Sequence, residues 1–306
     1  MLLRMNLYRE RREVLDIRRV GVVGCGLMGS GIAEVAAKSG FDVMVREVDD
    51  EVVERGKNRI RKSMDRAVKK EKMTLTEQEA AWDHLHFTAE VSELESADIV
   101  IEAIIESLDA KAKLFHELDL LCPEHTMFAS NTSSLTVTDI AAATSRADRF
   151  VGLHFFNPVP VMRLVEVVRT IATSQETVDR AVQFSKALGK VPIAAKDNSG
   201  FVVNLLLVPY LLDAIRQLEH GVATVEDIDA AMALGLGYPM GPFILCDFVG
   251  IDTLHQISEI MFDEYRDPRY APPPLLKRIV TMGRFGRKSG KGFYDWSGEK
   301  PIALPV

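Results

Sequence analysis

His154 and Glu166 are the two side chains whose types and spacing point most directly to chemistry. His154 stands near the end of an apolar run (Phe150, Val151, Leu153) that reads as a buried strand. Phe155, Phe156, Asn157 and Pro158 follow, and a second strand-like run over 164–168 carries Glu166. A strand, a Pro-rich turn and a returning strand can set an imidazole opposite a carboxylate. The carboxylate then accepts from one ring nitrogen, fixes the tautomer, and leaves the other nitrogen to act as a base. A lone His–Glu pair is more often structural than catalytic, so the elements before it decide the reading.

Those elements form a nucleotide fold. A short β-branched run over 19–24 (RVGVVG) leads directly into Gly24-Cys25-Gly26-Leu27-Met28-Gly29, a Gly-x-Gly-x-x-Gly spacing. The first glycine allows the tight turn, the second lets the backbone approach a pyrophosphate, and the third lets helix pack closely on strand. A helix from near Met28 to Gly40 would present its N-terminal amides to the phosphates. A second strand over 42–45 ends near Glu47. An acid about twenty residues beyond the glycines is placed to bond a ribose 2′-hydroxyl and to repel a 2′-phosphate, which favours NAD over NADP. Neighbouring Arg46 pulls the other way.

Composition excludes several classes. The 306 residues suffice for two domains, and 47% hydrophobic with 26% charged residues is ordinary for a globular protein. A net charge of −7 offers no basic field for nucleic acid. Cys25, Cys122 and Cys246 lie far apart without metal-ligand spacing, which suits a reducing, cytoplasmic setting and no metal. The longest apolar stretch, 201–212, is interrupted by Asn204 and Pro209 and is too short to span a bilayer. Residues 1–18 read as a frayed extension, too rich in Arg and acids for a secretory signal.

Further along, the pattern predicts a charged helix over 49–72, a polar connection over 74–83 and a short strand near 84–88. Strands over 97–104 and 126–130, with a helix over 110–121 between them, precede a polar turn over 130–134 and a helix near 137–143. A helix over 175–188 and a strand over 191–195 follow the His154 and Glu166 strands. Such alternation predicts an α/β fold, a Rossmann-type doubly wound parallel sheet over 19–199. Beyond Asn198 everything reads as helix, giving an all-α C-terminal domain over 200–306. Its first helix is expected to open at Phe201, capped by Asn198 or Ser199, with others near 225–234, 251–264 and 274–282. The Gly- and Pro-rich segments 235–242 and 267–274 read as joints.

GVVGCGLMGSGIA, ASNTSSL, GLHFFNPVPVMRLVEVV, GYPMGPF and FGRKSGKGFY occur in this order. In them the chain closely resembles the L-3-hydroxyacyl-CoA dehydrogenases, including the bacterial 3-hydroxybutyryl-CoA dehydrogenases, over nearly everything after Asp16. The resemblance implies an enzyme of fatty-acid metabolism (β-oxidation) that passes hydride between the 3-hydroxyl carbon of an acyl-CoA thioester and NAD. It places the catalytic base on His154, the carboxylate orienting it on Glu166, and groups near the reacting oxygen on Ser133 and Asn204. Cofactor contacts fall on Gly24, Gly26, Leu27, Met28, Gly29, Glu47, Glu106, Lys111, Asn157 and Lys288. Contacts to the thioester or CoA fall on Ser63 and Lys70, with Ser133 also facing substrate. Read without it, Ser133 is more often a helix cap, while a structural amide at Asn204 and a solvated helix face at Ser63 and Lys70 are each as good a reading as a site role. The chain has Ser199 and Leu205 where the family usually has Pro and Arg. A homodimer joined through the helical domain is also implied. Two other readings stay open: a gulonate-type hydroxy-acid dehydrogenase, and a crystallin-like NAD-binding protein without turnover.

Overall fold

The structure, a computed structural model, describes residues 16–305. Most of the extension expected over 1–18 lies outside the described residues, and its last residues are not frayed. Ile17 is buried in the main core, and Asp98 Oδ2 accepts from the Arg18 and Arg19 N–H groups at 2.6 and 2.8 Å. The chain divides into two compact units, one ending at Asn198 and the other beginning at Ser199.

The first unit runs β1 (Arg19–Val23), α1 (Leu27–Lys38), β2 (Asp42–Arg46), α2 (Asp50–Lys69), α3 (Leu75–Asp83), β3 (Leu85–Thr88), β4 (Ile99–Glu102) and α4 (Leu108–Leu121). It continues through β5 (Met127–Ser130), α5 (Val137–Ala141), β6 (Phe150–Phe155), β7 (Leu164–Arg169), α6 (Gln175–Ala187) and β8 (Val191–Lys196). One eight-stranded sheet results, ordered β3-β2-β1-β4-β5-β6-β7-β8. All pairings are parallel except β6 with β7.

The strands are apolar on both sides because helices cover both faces. Alternate residues serve opposite faces. Val20, Val22, Ile99, Ile101, Val151 and Leu153 share a core with Ile32 of α1, Met64 of α2 and Phe184 of α6. On the other face Phe115 of α4 meets Phe128 and Phe150, with ring centroids 5.5 and 4.6 Å apart.

The segment read as a polar connection over 74–83 is a helix, α3. Thr74 and Glu77 form a reciprocal capping box at its start, and only Gln78 and Ala81 are buried along it. Its short buried face gives little periodic signal.

The second unit contains α7 (Val203–Glu219), α8 (Val225–Leu236), α9 (Pro242–Val249), α10 (Ile251–Tyr265) and α11 (Pro274–Thr281). They surround a core of Val208, Leu211, Leu212, Ile215, Phe243, Cys246, Leu254, Met261 and Leu276. Three details differ from the sequence expectation. First, α7 opens at Val203 with Val202 as its N-cap, so neither Asn198 nor Ser199 caps it; Phe201 turns the chain at φ 52°. Second, the joint at Gly241-Pro242 begins α9, because proline is well placed in a first helical turn. Third, the unit is not all helix: β9 (Tyr294–Asp295) and β10 (Ile302–Ala303) pair antiparallel. Asp247 holds that hairpin, accepting from the Phe293 and Tyr294 N–H groups at 2.9 Å and from Trp296 Nε1 at 2.8 Å. Among the described residues no helix is long and apolar enough to cross a membrane.

Candidate active site

The parallel strands β1, β2, β4, β5 and β6 end on one sheet edge, and the chemistry-bearing residues of the first unit collect there. After β1 the chain turns through Gly24 at φ 92° into α1. A Cβ on Gly29 would lie 1.7 Å from the Gly24 carbonyl oxygen, so only glycine permits this helix to start so close to its strand. Gly26 is the N-cap of α1 and supplies no side-chain cap, and a Cβ there would meet nothing within 4 Å. Open space beside an uncapped helix N-terminus is what a pyrophosphate needs. Leu27 and Met28 form the first turn of that helix.

Glu47 follows β2 and faces the same turn. Its Oε1 accepts from the Cys25 N–H at 2.5 Å and its Oε2 from the Val48 N–H at 3.1 Å. Arg46, which argued against NAD in the sequence, is turned to the Ala89 carbonyl oxygen at 3.3 Å. Sequence reasoning missed Arg59, whose Nη1 donates to the Cys25 carbonyl at 2.6 Å and braces the glycine turn from α2. Burial, with Glu47 adding to it, pushes the Cys25 thiol up to about 12, so it stays protonated and unreactive.

The antiparallel register of β6 and β7 sets His154 directly opposite Glu166. Their Nδ1 and Oε2 are 2.6 Å apart, with His154 6% exposed and Glu166 fully buried. A buried acid bonded to Nδ1 places the proton there and makes Nε2 the basic nitrogen. Phe156 packs on the imidazole with ring centroids 4.5 Å apart. Asn131 Oδ1 accepts from the Phe155 N–H at 2.9 Å and ties the end of β6 to the turn after β5. Exposed Asn157 lies in the turn that follows β6. That turn reaches the dinucleotide helix, since a Cβ on Gly31 of α1 would lie 2.8 Å from Val159 Cβ.

Between these features, after β4 and β5, lies a polar cluster. Glu106 Oε1 accepts from Thr132 Oγ1 at 2.6 Å, the Ser133 N–H at 2.9 Å and the Ser134 N–H at 3.2 Å; Ser133 Oγ is 3.4 Å away. Buried Lys111 lies 3.2 Å from Glu106 Oε2 and donates to Glu102 Oε1 at 2.5 Å. Burial raises the Glu106 pKa, but Lys111 and the hydrogen bonds from Thr132 and Ser133 together outweigh it, and the carboxyl rests below its ordinary range. For Glu102 burial wins over Lys111 and Ser130, and the pKa is raised. The sequence signal for Glu102 was an acid inside an apolar strand, but its partner is supplied only by packing of α4.

Of the residues expected in the site, the structure thus brings His154 to Glu166, Lys111 and Ser133 to Glu106, and Glu47 to the glycine turn. Ser63 and Lys70 lie on α2 and at its C-cap, seven residues apart and so on one helix face. Asn204 and Lys288 belong to the second unit. Asn204 is 8% exposed in the first turn of α7, and Lys288 donates to Asp252 at 2.7 Å.

A buried imidazole–carboxylate pair on the edge that carries a dinucleotide cradle suits one general task, moving a proton in step with a hydride. By class the molecule is a nicotinamide-dependent dehydrogenase.

The chain belongs to the 3-hydroxyacyl-CoA dehydrogenase family. Residues 19–198 match its NAD binding domain and residues 200–296 its C-terminal domain. It is 50% identical over 282 residues to the 3-hydroxybutyryl-CoA dehydrogenase of Mycobacterium tuberculosis, covering 92% of this chain and 99% of that one. It is 48% identical to the human mitochondrial hydroxyacyl-coenzyme A dehydrogenase, covering 92% of this chain and 91% of that one. The solved (S)-3-hydroxybutyryl-CoA dehydrogenase of Ralstonia eutropha superposes with a TM-score of 0.88 at 43% identity, covering 92% and 100% of the two chains.

Proposed function

We propose that this protein is an NAD-dependent 3-hydroxyacyl-CoA dehydrogenase that interconverts (3S)-3-hydroxyacyl-CoA and 3-ketoacyl-CoA, with 3-hydroxybutyryl-CoA among its substrates. The observation that carries this reading is the buried 2.6 Å contact between His154 and Glu166 on the edge that bears the glycine turn. The nicotinamide of bound NAD supplies the hydride acceptor. The chain supplies the proton chemistry. In oxidation, His154 Nε2 takes the proton of the substrate 3-hydroxyl, and the Glu166 carboxylate stabilises the imidazolium so formed. In reduction, His154 returns the proton to the ketone oxygen.

Ser133, held at the carboxyl end of β5 by Glu106, orients the reacting oxygen, and Asn204 gives it a second hydrogen bond. Gly24 to Gly29 hold the pyrophosphate, Glu47 the adenosine ribose, and Glu106, Lys111, Asn157 and Lys288 make further contacts to the cofactor. Ser63 and Lys70 meet the CoA moiety. The cleft and the dimer contact are assigned to residues 200–306, where Leu206, Leu234 and Leu236 offer exposed apolar side chains for a second copy. The three buried, unpaired cysteines suit a cytoplasmic setting. A panel of 3-ketoacyl-CoA thioesters and their free acids, with NADH and NADPH compared at 340 nm, tests the reading. Turnover confined to thioesters with NADH is expected; equal rates with the free acids would overturn it.

A further inference from the structure

Glu102 has no part in the chemistry above, yet it is fully buried and both of its side-chain partners, Ser130 and Lys111, lead to the Ser133 turn. It is the last residue of β4. Its Oε2 accepts from Ser130 Oγ at 2.6 Å, and Ser130 Oγ in turn accepts from the Thr132 N–H at 3.2 Å. Its Oε1 accepts from the Ile104 N–H at 2.7 Å and from Lys111 Nζ at 2.5 Å. Lys111 reaches on to Glu106, whose Oε1 gathers Thr132, Ser133 and Ser134. Two separate routes therefore join one carboxylate to the same few residues: a short one through Ser130, and a longer one through Lys111 and Glu106.

Stability does not account for an acid here. Burial outweighs its partners and disfavours the charged form, and a buried ion pair is often no more stabilising than apolar packing of the same volume. A fully connected polar network does, however, fix one arrangement of the groups it joins.

We propose that Glu102 is a positioning residue for the reaction: acting through Ser130 and through Lys111–Glu106, it sets the orientation of the Ser133 hydroxyl toward the substrate oxygen. The inference rests on the reading of Ser133 given above. Glu102→Gln keeps the size and the acceptor for Ile104 but weakens the hold on Lys111 and Ser130. Ser133→Ala removes the group that is held.

The test is a double-mutant cycle of these two substitutions, following kcat and KM for acetoacetyl-CoA with NADH. Glu102→Gln alone is expected to lower kcat/KM by about tenfold, and by less than about twofold when Ser133 is already Ala, the non-additivity of groups that act together. The same factor in both backgrounds, as a general structural defect would give, overturns the proposal, and so does an unchanged kcat/KM for Glu102→Gln alone. A wild-type kcat/KM in Ser133→Ala would instead refute the role of the serine itself, and the inference with it. Should Glu102→Gln not fold, Ser130→Ala severs the short route without removing a charge, and the same cycle with Ser133→Ala applies. Non-additivity supports the proposal and additivity overturns it.

Discussion

Replacing Glu166 by Gln isolates the electrostatic part of the His–Glu pair. Glutamine has the same shape and still offers an oxygen to the His154 Nδ1–H, so tautomer and ring orientation should survive while the negative charge is lost. The pair is buried and its contact is 2.6 Å, which puts the charge centres of imidazolium and carboxylate about 4 Å apart. At an effective dielectric constant near 20, that attraction amounts to about 4 kcal/mol. The amide dipole retains part of it, leaving a loss of about 2–3 kcal/mol in a transition state where the imidazole is gaining or losing its proton. The expected fall in kcat is about 30- to 150-fold. In oxidation the charge develops only on the way to the transition state, so KM for (3S)-3-hydroxybutyryl-CoA should change little. The assay is NAD reduction at 340 nm with (3S)-3-hydroxybutyryl-CoA under saturating cofactor, with circular dichroism to confirm the fold. A fall of less than about threefold, the worth of a solvent-screened ion pair, would refute the reasoning.

Two further outcomes follow from the same geometry. Glu47→Gln removes the charge beside the glycine turn and should raise the NADPH/NADH ratio of kcat/KM by about tenfold, since like-charge repulsion of a 2′-phosphate is lost; an unchanged ratio would contradict the ribose assignment. Lys190 Nζ donates to the Val159 carbonyl and, at 2.8 Å, to that of Met162, holding the turn between β6 and β7. Burial, with Lys38 adding to it, lowers the Lys190 pKa from 10.5 to about 8. Between those values the unfolded chain binds the extra proton, so this residue's contribution to stability rises with pH across the window. The melting temperature of wild type relative to Lys190→Met should accordingly climb from about pH 7 to about pH 10, and a flat difference would contradict it.

Local patterns carried most of the sheet and the dyad. The His154 and Glu166 strands are short, almost continuously apolar runs flanking a Pro-rich turn, and with both strands buried their register is closely fixed. The glycine turn was legible because Gly24 supplies the positive φ, Gly29 the close approach of helix to strand, and Gly26 the open space at the helix N-terminus. What stayed hidden came from packing. Nothing local announces that Phe201 takes a left-handed backbone, or that α7 therefore starts two residues late. The start of α9 was disguised by Pro242, which sequence alone reads as readily as a joint. Within the site, the family resemblance named Lys111 and Glu106, but Glu102 emerges only when α4 lays Lys111 against the end of β4. Arg59 was hidden in the same way, one of many basic residues on α2 until its contact with the Cys25 carbonyl singles it out.

The central claim is that the His154 imidazole moves the proton that accompanies hydride transfer. Turnover of acetoacetyl-CoA by His154→Gln, with NADH binding measured in parallel by fluorescence, tests it most directly. Loss of general acid–base catalysis should lower kcat by about 10²- to 10⁴-fold while NADH affinity stays nearly constant. A variant that binds NADH and turns over at the wild-type rate would contradict the account.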